Sequence, residues 1–384
     1  MNSPAPISKL PQVGTTIFTV MSALAKECDA LNLSQGFPDY DGPQALREAL
    51  ARHTLAGNNQ YAPMAGVLAL REQIAAKLER FYGVIADPET EITVVPGATE
   101  AIYCAITACL GEGDEAILLD PAYDSYEPAV TLCGGIARRV PLQEPGFTVD
   151  WQLVEDVISS RTRLIVINSP HNPTGAVMTE DDLRQLERLA TEHQLWVISD
   201  EVYEHLIYDG RCHHSALSLP GLRERCFAAF SFGKTFHITG WKTGYCVAPP
   251  ALTAELRKVH QFVAFVAVTP VQMALADFMA AEPDFAAGLA NFYQAKRDRF
   301  CEAVAGSRFR CVPTSGSYFQ LLEYSSISSE RDTTLAERLT REHGIASIPI
   351  SVFSAAPLQG QYLRFCFAKT DEVLDQAGEI LCGI

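Results

Sequence analysis

Short apolar runs that each close on a polar or turn-forming residue recur along this 384-residue chain. Ile92-Thr93-Val94-Val95 stops at Pro96-Gly97, and Ala116-Ile117-Leu118-Leu119 stops at Asp120-Pro121. Leu164-Ile165-Val166-Ile167 ends in Asn168, Trp196-Val197-Ile198-Ser199 in Asp200, and residues 227–230 lead into Ser231. A further run covers 244–248. Between the runs lie amphipathic stretches at 67–82, 99–110 and 183–191. Strands that are apolar throughout, rather than alternating, need cover on both faces. Strand–helix alternation supplies that cover, so the pattern predicts an α/β fold on a mostly parallel sheet.

The C-terminal third differs. A helical region at 251–305, interrupted at Pro270 and Pro283, precedes strands at 318–322 and 362–367 and helices at 333–343 and 371–382. This reads as a smaller α+β domain. The expected division is an extended, proline-bearing arm at 1–22, a piece of the small domain at 23–51, a large α/β domain at 52–280 and the small domain at 281–384. The length suits two or three domains of ~150 residues.

The formal net charge of -16 disfavours nucleic acid and anionic lipid as partners. The 11 cysteines form no C-x-x-C pair and sit in apolar segments, the pattern of reduced, buried thiols in a cytoplasmic protein. Neither a signal peptide nor a run of ~18 apolar residues is present, so no membrane span is expected.

Ligands in open α/β sheets gather beyond the carboxyl ends of the strands. Polar residues cluster there. Gly97-Ala98-Thr99-Glu100 opens a helix, where free N–H groups attract an anion. Asn172 sits in a turn stiffened by Pro170, Pro173 and Gly175. Asp200 ends an apolar strand and needs a cation or strong donors, with Tyr203 three residues on. Ser231-Phe232-Gly233-Lys234-Thr235 places one lysine after an apolar strand, and Lys242 adds a second cation beside a hydroxyl. Such a lysine suits Schiff-base chemistry, since a shielded amine is neutral and nucleophilic. Arg364, between Leu363 and Phe365, offers a bidentate fork for a carboxylate. Taken singly, each reads equally as a cap, a turn or a structural ion pair.

Taken in order, Asn172-Pro173-Thr174-Gly175, Asp200 with Tyr203, Ser231…Lys234…Lys242 and Arg364 resemble the class I aminotransferases. Leu33-Ser34-Gln35-Gly36-Phe37-Pro38, Asn59-Gln60-Tyr61-Ala62-Pro63 and Tyr123-Asp124-Ser125-Tyr126-Glu127-Pro128 are similar to the kynurenine and methionine aminotransferase branch, its bacterial methionine members above all. The resemblance covers nearly the whole chain. It implies pyridoxal-phosphate fold type I: a large domain with a mostly parallel seven-stranded sheet covered by helices, a smaller α+β domain and an N-terminal arm. It also implies a cytoplasmic homodimer with shared active sites.

By the same resemblance Lys234 carries pyridoxal phosphate covalently, and Asp200 faces the pyridine nitrogen. Asn172 and Tyr203 bond the ring oxygen, and Tyr123 stacks on the ring. Ala98, Thr99, Ser231, Lys242 and a second subunit's Tyr61 hold the phosphate. Arg364 and Gly36 receive the substrate carboxylate. Many class I members carry arginine at the Lys242 position, and lysine holds phosphate there as a point charge. Phe37, Tyr123 and, from a partner subunit's arm, Ile17 and Phe18 are expected to line the side-chain pocket. The implied activity is transfer of an amino group from an apolar, sulfur-containing or aromatic L-amino acid to a 2-oxo acid by a ping-pong mechanism. Methionine is favoured, with phenylalanine, tyrosine, histidine and kynurenine also accepted. A C–S β-lyase on the same fold and a non-catalytic effector protein are the alternative readings. No metal site is expected.

Overall fold

The computed structural model describes residues 7–384. Residues 1–6 of the expected arm lie outside the described residues. The six apolar runs and one further segment form seven strands: β1 (Ile92–Val95), β2 (Glu115–Asp120), β3 (Ile136–Pro141), β4 (Thr162–Asn168), β5 (Trp196–Asp200), β6 (Cys226–Ser231) and β7 (Gly244–Val247). They make one sheet in the order β1-β7-β6-β5-β4-β2-β3. All neighbours from β6 to β3 pair in parallel, and β7 runs against both β1 and β6.

Successive residues of a strand point to opposite faces, and both faces here are covered. Ile117, Ile165 and Val197 join one apolar cluster, while their neighbours Leu118, Val166 and Ile198 join the other. That two-sided burial is why these strands read as unbroken apolar runs. β3 escaped the sequence pattern for the complementary reason. It is the edge strand, half of it exposed, and it carries Arg138 and Arg139. Charged edges of this kind blunt further strand addition.

A second, antiparallel sheet combines β8 (Arg310–Cys311), β9 (Phe319–Glu323), β10 (Ile348–Pro349) and β11 (Tyr362–Cys366) in the order β10-β11-β9-β8. Leu31–Asn32 pairs in parallel with Ile345–Ala346, tying the N-terminal segment to this region. The helix Gln44–Leu55 packs instead on Thr269–Ala281, with His53 Nε2 at 2.8 Å from Asp277 Oδ2. The helical region past residue 250 is three helices: Pro250–Val263, Thr269–Ala281 and Leu289–Ala303. Pro270 stands in the first turn of the second helix, where its missing N–H costs no bond.

The expected extended arm is corrected from Ile17 on. Helix α1 (Ile17–Glu27) starts there, capped by the Thr16 hydroxyl, and buries Met21, Leu24 and Ala25. The prolines that suggested extended chain end at Pro11, before the amphipathic stretch begins. The cysteines are all free thiols, but only Cys104, Cys226, Cys246 and Cys366 are buried, and Cys212 and Cys382 are exposed. No described helix is long and apolar enough to cross a membrane.

Candidate active site

The parallel register brings the carboxyl ends of β4, β5 and β6 side by side. Asn168 lies opposite Asp200, and Asp200 opposite Ala229, two residues before Ser231. Beyond these ends opens a cavity of about 310 Å³. Of the residues singled out in the sequence, Gly36, Ala98, Thr99, Tyr123, Asn172, Asp200, Tyr203, Ser231, Lys234, Lys242, Phe18 and Arg364 all line it.

Lys234 sits on a single helical turn, Phe232–Thr235, that follows β6 directly. Its Nζ donates to the Gly36 carbonyl at 3.0 Å and to the Tyr318 hydroxyl at 2.6 Å. The Tyr318 hydroxyl in turn donates to the same carbonyl. Burial, aided by the charges of Lys242 and Arg364, pushes the lysine amine down to about 8. An amine there is neutral far more often than a surface lysine at pH 7.

Asp200 is buried, and its Oδ2 accepts a 2.5 Å bond from the Tyr126 hydroxyl. Burial raises its carboxyl to about 6, against the opposing pull of Tyr126, the Val202 N–H and Lys234. Asn168 braces this edge. Its Nδ2 donates to the Asp200 carbonyl at 2.8 Å, and its Oδ1 accepts from the Asn172 N–H at 2.7 Å.

Arg364 on β11 is fully buried. One Nη donates to Asn172 Oδ1 at 2.6 Å and the other to the Ser34 carbonyl at 3.2 Å. The guanidinium lies 3.8 Å from the Phe319 ring centroid and 5.3 Å from that of Phe18. Its Nε has no partner among the described residues. Burial lowers its pKa to about 10, which leaves it charged at neutral pH. A buried guanidinium with an unused donor calls for an anionic acceptor.

The opposite end of the cavity is built for another anion. Helix α2 (Ala98–Cys109) starts after Gly97, whose φ of 86° is the left-handed region that favours glycine. A Cβ at Gly97 would stand 3.3 Å from Lys242 Nζ. The N–H groups of Ala98 and Thr99 are the first of the helix and lack intrahelical acceptors. Lys242 and Ser231 add a cation and a hydroxyl. A phosphate ester at α2, a cationic ring nitrogen at Asp200, an amine-reactive carbon at Lys234 and a carboxylate at Arg364 each find a counterpart in one cavity. The donor set therefore fits pyridoxal phosphate together with an amino acid.

Some expectations are corrected. Phe37 is 44% exposed and does not line the cavity; its ring lies against Lys369 Nζ at 5.1 Å. Gly36 and Phe37 are neighbours, and the turn that aims one inward aims the other out. Phe18 reaches the cavity within its own chain, because Gln35 Nε2 holds its carbonyl at 2.8 Å. Ile17 borders a separate groove with Thr15 and Asp124. Tyr61, expected to act from a second subunit, is 82% exposed in its own chain and meets Phe265 edge-on at 5.4 Å, which leaves its hydroxyl end open to a partner.

Sequence reasoning missed the functional parts played by Tyr126, Asn168, Tyr318 and Phe319. Asn168 carried a signal, since it ends an apolar strand just as Asp200 does. The two tyrosines and Phe319 carried none, because each touches the site through a fold contact far along the chain.

Residues 29–381 match the family model for aminotransferase class I and II. The chain belongs to that family. It is 53% identical to a methionine aminotransferase of Escherichia coli K12, over 98% of this chain and 97% of the relative. The crystal structure of E. coli YbdL, described as having a methionine aminotransferase function, superimposes over all of both chains at a TM-score of 0.97 and 52% identity. An N-succinyldiaminopimelate aminotransferase from Mycobacterium tuberculosis aligns with a TM-score of 0.95 at 38% identity, over 99% of this chain and 100% of that one. As an aminotransferase of fold type I, the protein is an enzyme that works with pyridoxal phosphate.

Proposed function

We propose that this aminotransferase takes its amino group from apolar, sulfur-containing or aromatic L-amino acids, methionine foremost, and passes it to a 2-oxo acid. The observation that carries the preference is the substrate end of the cavity. Arg364 is flanked there by Phe18 and Phe319, and the other cations lining the cavity are Lys234 and Lys242. No second guanidinium among the described residues lines it to pair with a distal carboxylate. The relatives named above include methionine aminotransferases, which supports the same reading.

When bound, pyridoxal phosphate supplies an aldehyde carbon for the amine and a cationic ring that draws electrons from the substrate α-carbon. The chain's own residues do the rest. Arg364 would receive the α-carboxylate on its free Nε and an Nη, in the same cavity that Lys234 lines. The Lys234 amine would serve as the base that takes the α-proton and, once protonated, as the acid that gives it back; its depressed pKa suits both tasks. Asp200 holds the positive ring nitrogen, with Tyr126 sharing the cost of its buried charge. Asn172 and Tyr203 would bond the ring hydroxyl oxygen, Tyr123 would lie against the ring, and Ala98, Thr99, Ser231 and Lys242 would hold the phosphate.

The active unit in this proposal is a cytoplasmic homodimer. Tyr61 and Phe265 form an exposed aromatic pair, with Phe262 exposed three residues before Phe265, and exposed apolar surface of this kind marks interaction sites. Tyr61 from one subunit then completes the partner's phosphate site. The domain division at residues 52 and 281 is part of the same proposal.

The substrate assignment is tested by kcat/KM for methionine, phenylalanine and aspartate. The expected ratio of methionine to aspartate is on the order of 10²-fold or more, as an apolar pocket leaves a second carboxylate unpaired. Equal values for the two would contradict it.

A further inference from the structure

Away from the active site, Cys301 and Cys311 face each other with their sulfurs 3.3 Å apart. Cys301 lies in the last turn of the helix Leu289–Ala303, and Cys311 ends β8, the two-residue edge strand of the small sheet. Both are partly exposed, whereas most other thiols are buried singly or stand alone at the surface. The sulfurs stand within hydrogen-bonding contact, and a disulfide of ~2.05 Å requires them to approach by a further ~1.2 Å. Their surroundings favour the reactive form of one partner. The hydrogen bond from Cys311, assisted by the Arg297 guanidinium, lowers the Cys301 thiol, while the same bond raises Cys311. Arg297 is itself shared with Asp209 and Asp298, at 2.7 Å each, which tempers its pull.

We propose that Cys301 and Cys311 form an oxidation site, a dithiol that closes reversibly to a disulfide under peroxide or glutathione disulfide. With hydrogen peroxide the Cys301 thiolate attacks one oxygen and the O–O bond breaks, releasing water and leaving a sulfenic acid. The Cys311 thiol then attacks that sulfur, the S–O bond breaks and a second water leaves. Two thiols lose two electrons and two protons, and the peroxide takes both. The disulfide would pin the edge strand to the helix. That strand runs into Val312–Gly316 in sequence, where the Thr314 hydroxyl holds the Gly175 carbonyl at 3.1 Å beside the Asn172 turn.

The test is differential alkylation of the full-length, cofactor-loaded protein, followed by peptide mapping, before and after glutathione disulfide or stoichiometric hydrogen peroxide. The expected result is one intramolecular linkage between the peptides holding residues 301 and 311, abolished in Cys301→Ser and reversed by dithiothreitol. The exposed Cys212 and Cys382 serve as internal controls for oxidant dose. If Cys301 and Cys311 still alkylate freely when those two have reacted, or if either pairs with a different cysteine, the proposal fails.

Discussion

At the scale of single residues, two shifted groups set the pH behaviour. The Lys234 amine is held near 8, below the ordinary lysine range. Its folded-state pKa lies under its unfolded one, so the neutral, attacking form is gained as pH rises through 8 rather than through ~10.4. Covalent attachment of cofactor to the apoprotein should therefore quicken between pH 7 and about 8 and level off above it. Stopped-flow absorbance reads this directly, and a rate still climbing through pH 10 would refute it. The Asp200 carboxyl is raised to about 6. Its charged form is the one that holds the ring nitrogen, so cofactor affinity should fall as pH drops through that value. Tyr126→Phe removes the donor that opposes the rise. The acid loss should then move to higher pH, with affinity at neutral pH about tenfold lower, as expected for a hydrogen bond to a charged group. Arg364→Lys keeps charge but loses the fork and the stack between Phe319 and Phe18. It should raise KM for methionine by ~10²-fold, the usual cost of spoiling a buried charged pair.

At the scale of elements, the ends of strands and the start of one helix do the positioning. Gly97 illustrates the dependence, because its positive φ swings the chain from β1 into α2 beside Lys242. Gly97→Ala would strain that turn by ~1–2 kcal/mol and crowd the lysine. Isothermal titration should show weaker cofactor binding, with the fold retained by circular dichroism. The strands that place Asp200, Ser231 and Asn168 were legible in the sequence because burial on both faces leaves them mostly apolar, with Ser199 an interior exception, and each closes on a polar residue. β3 was not legible, since an edge strand with Arg138 and Arg139 has no such signature. Helix α1 was obscured by the prolines before it. Tyr318 and Phe319 were not legible as site residues, because their parts depend on β9 lying against β11 and on the approach of Gly36, which no local pattern encodes.

At the scale of the whole molecule, the proposed dimer has each cavity receive Tyr61 from the second subunit. Tyr61→Ala and Lys234→Ala are each expected to be nearly inactive, the first through weak cofactor binding. Subunits mixed through a dissociation and reassembly step should regain activity, because one of the two sites in a hybrid dimer is then intact. No recovery, or a monomer by sedimentation, would contradict the shared-site dimer.

The central claim is that one cavity loads pyridoxal phosphate on Lys234 and moves the amino group of an apolar amino acid. The most direct measurement is the absorbance spectrum of the purified, cofactor-loaded protein in a single half-reaction with methionine. The band of the lysine-bound cofactor should give way to that of pyridoxamine phosphate, and return on adding a 2-oxo acid. An unchanged band with methionine and with every aromatic amino acid would contradict it, as would release of a thiol with no pyridoxamine form.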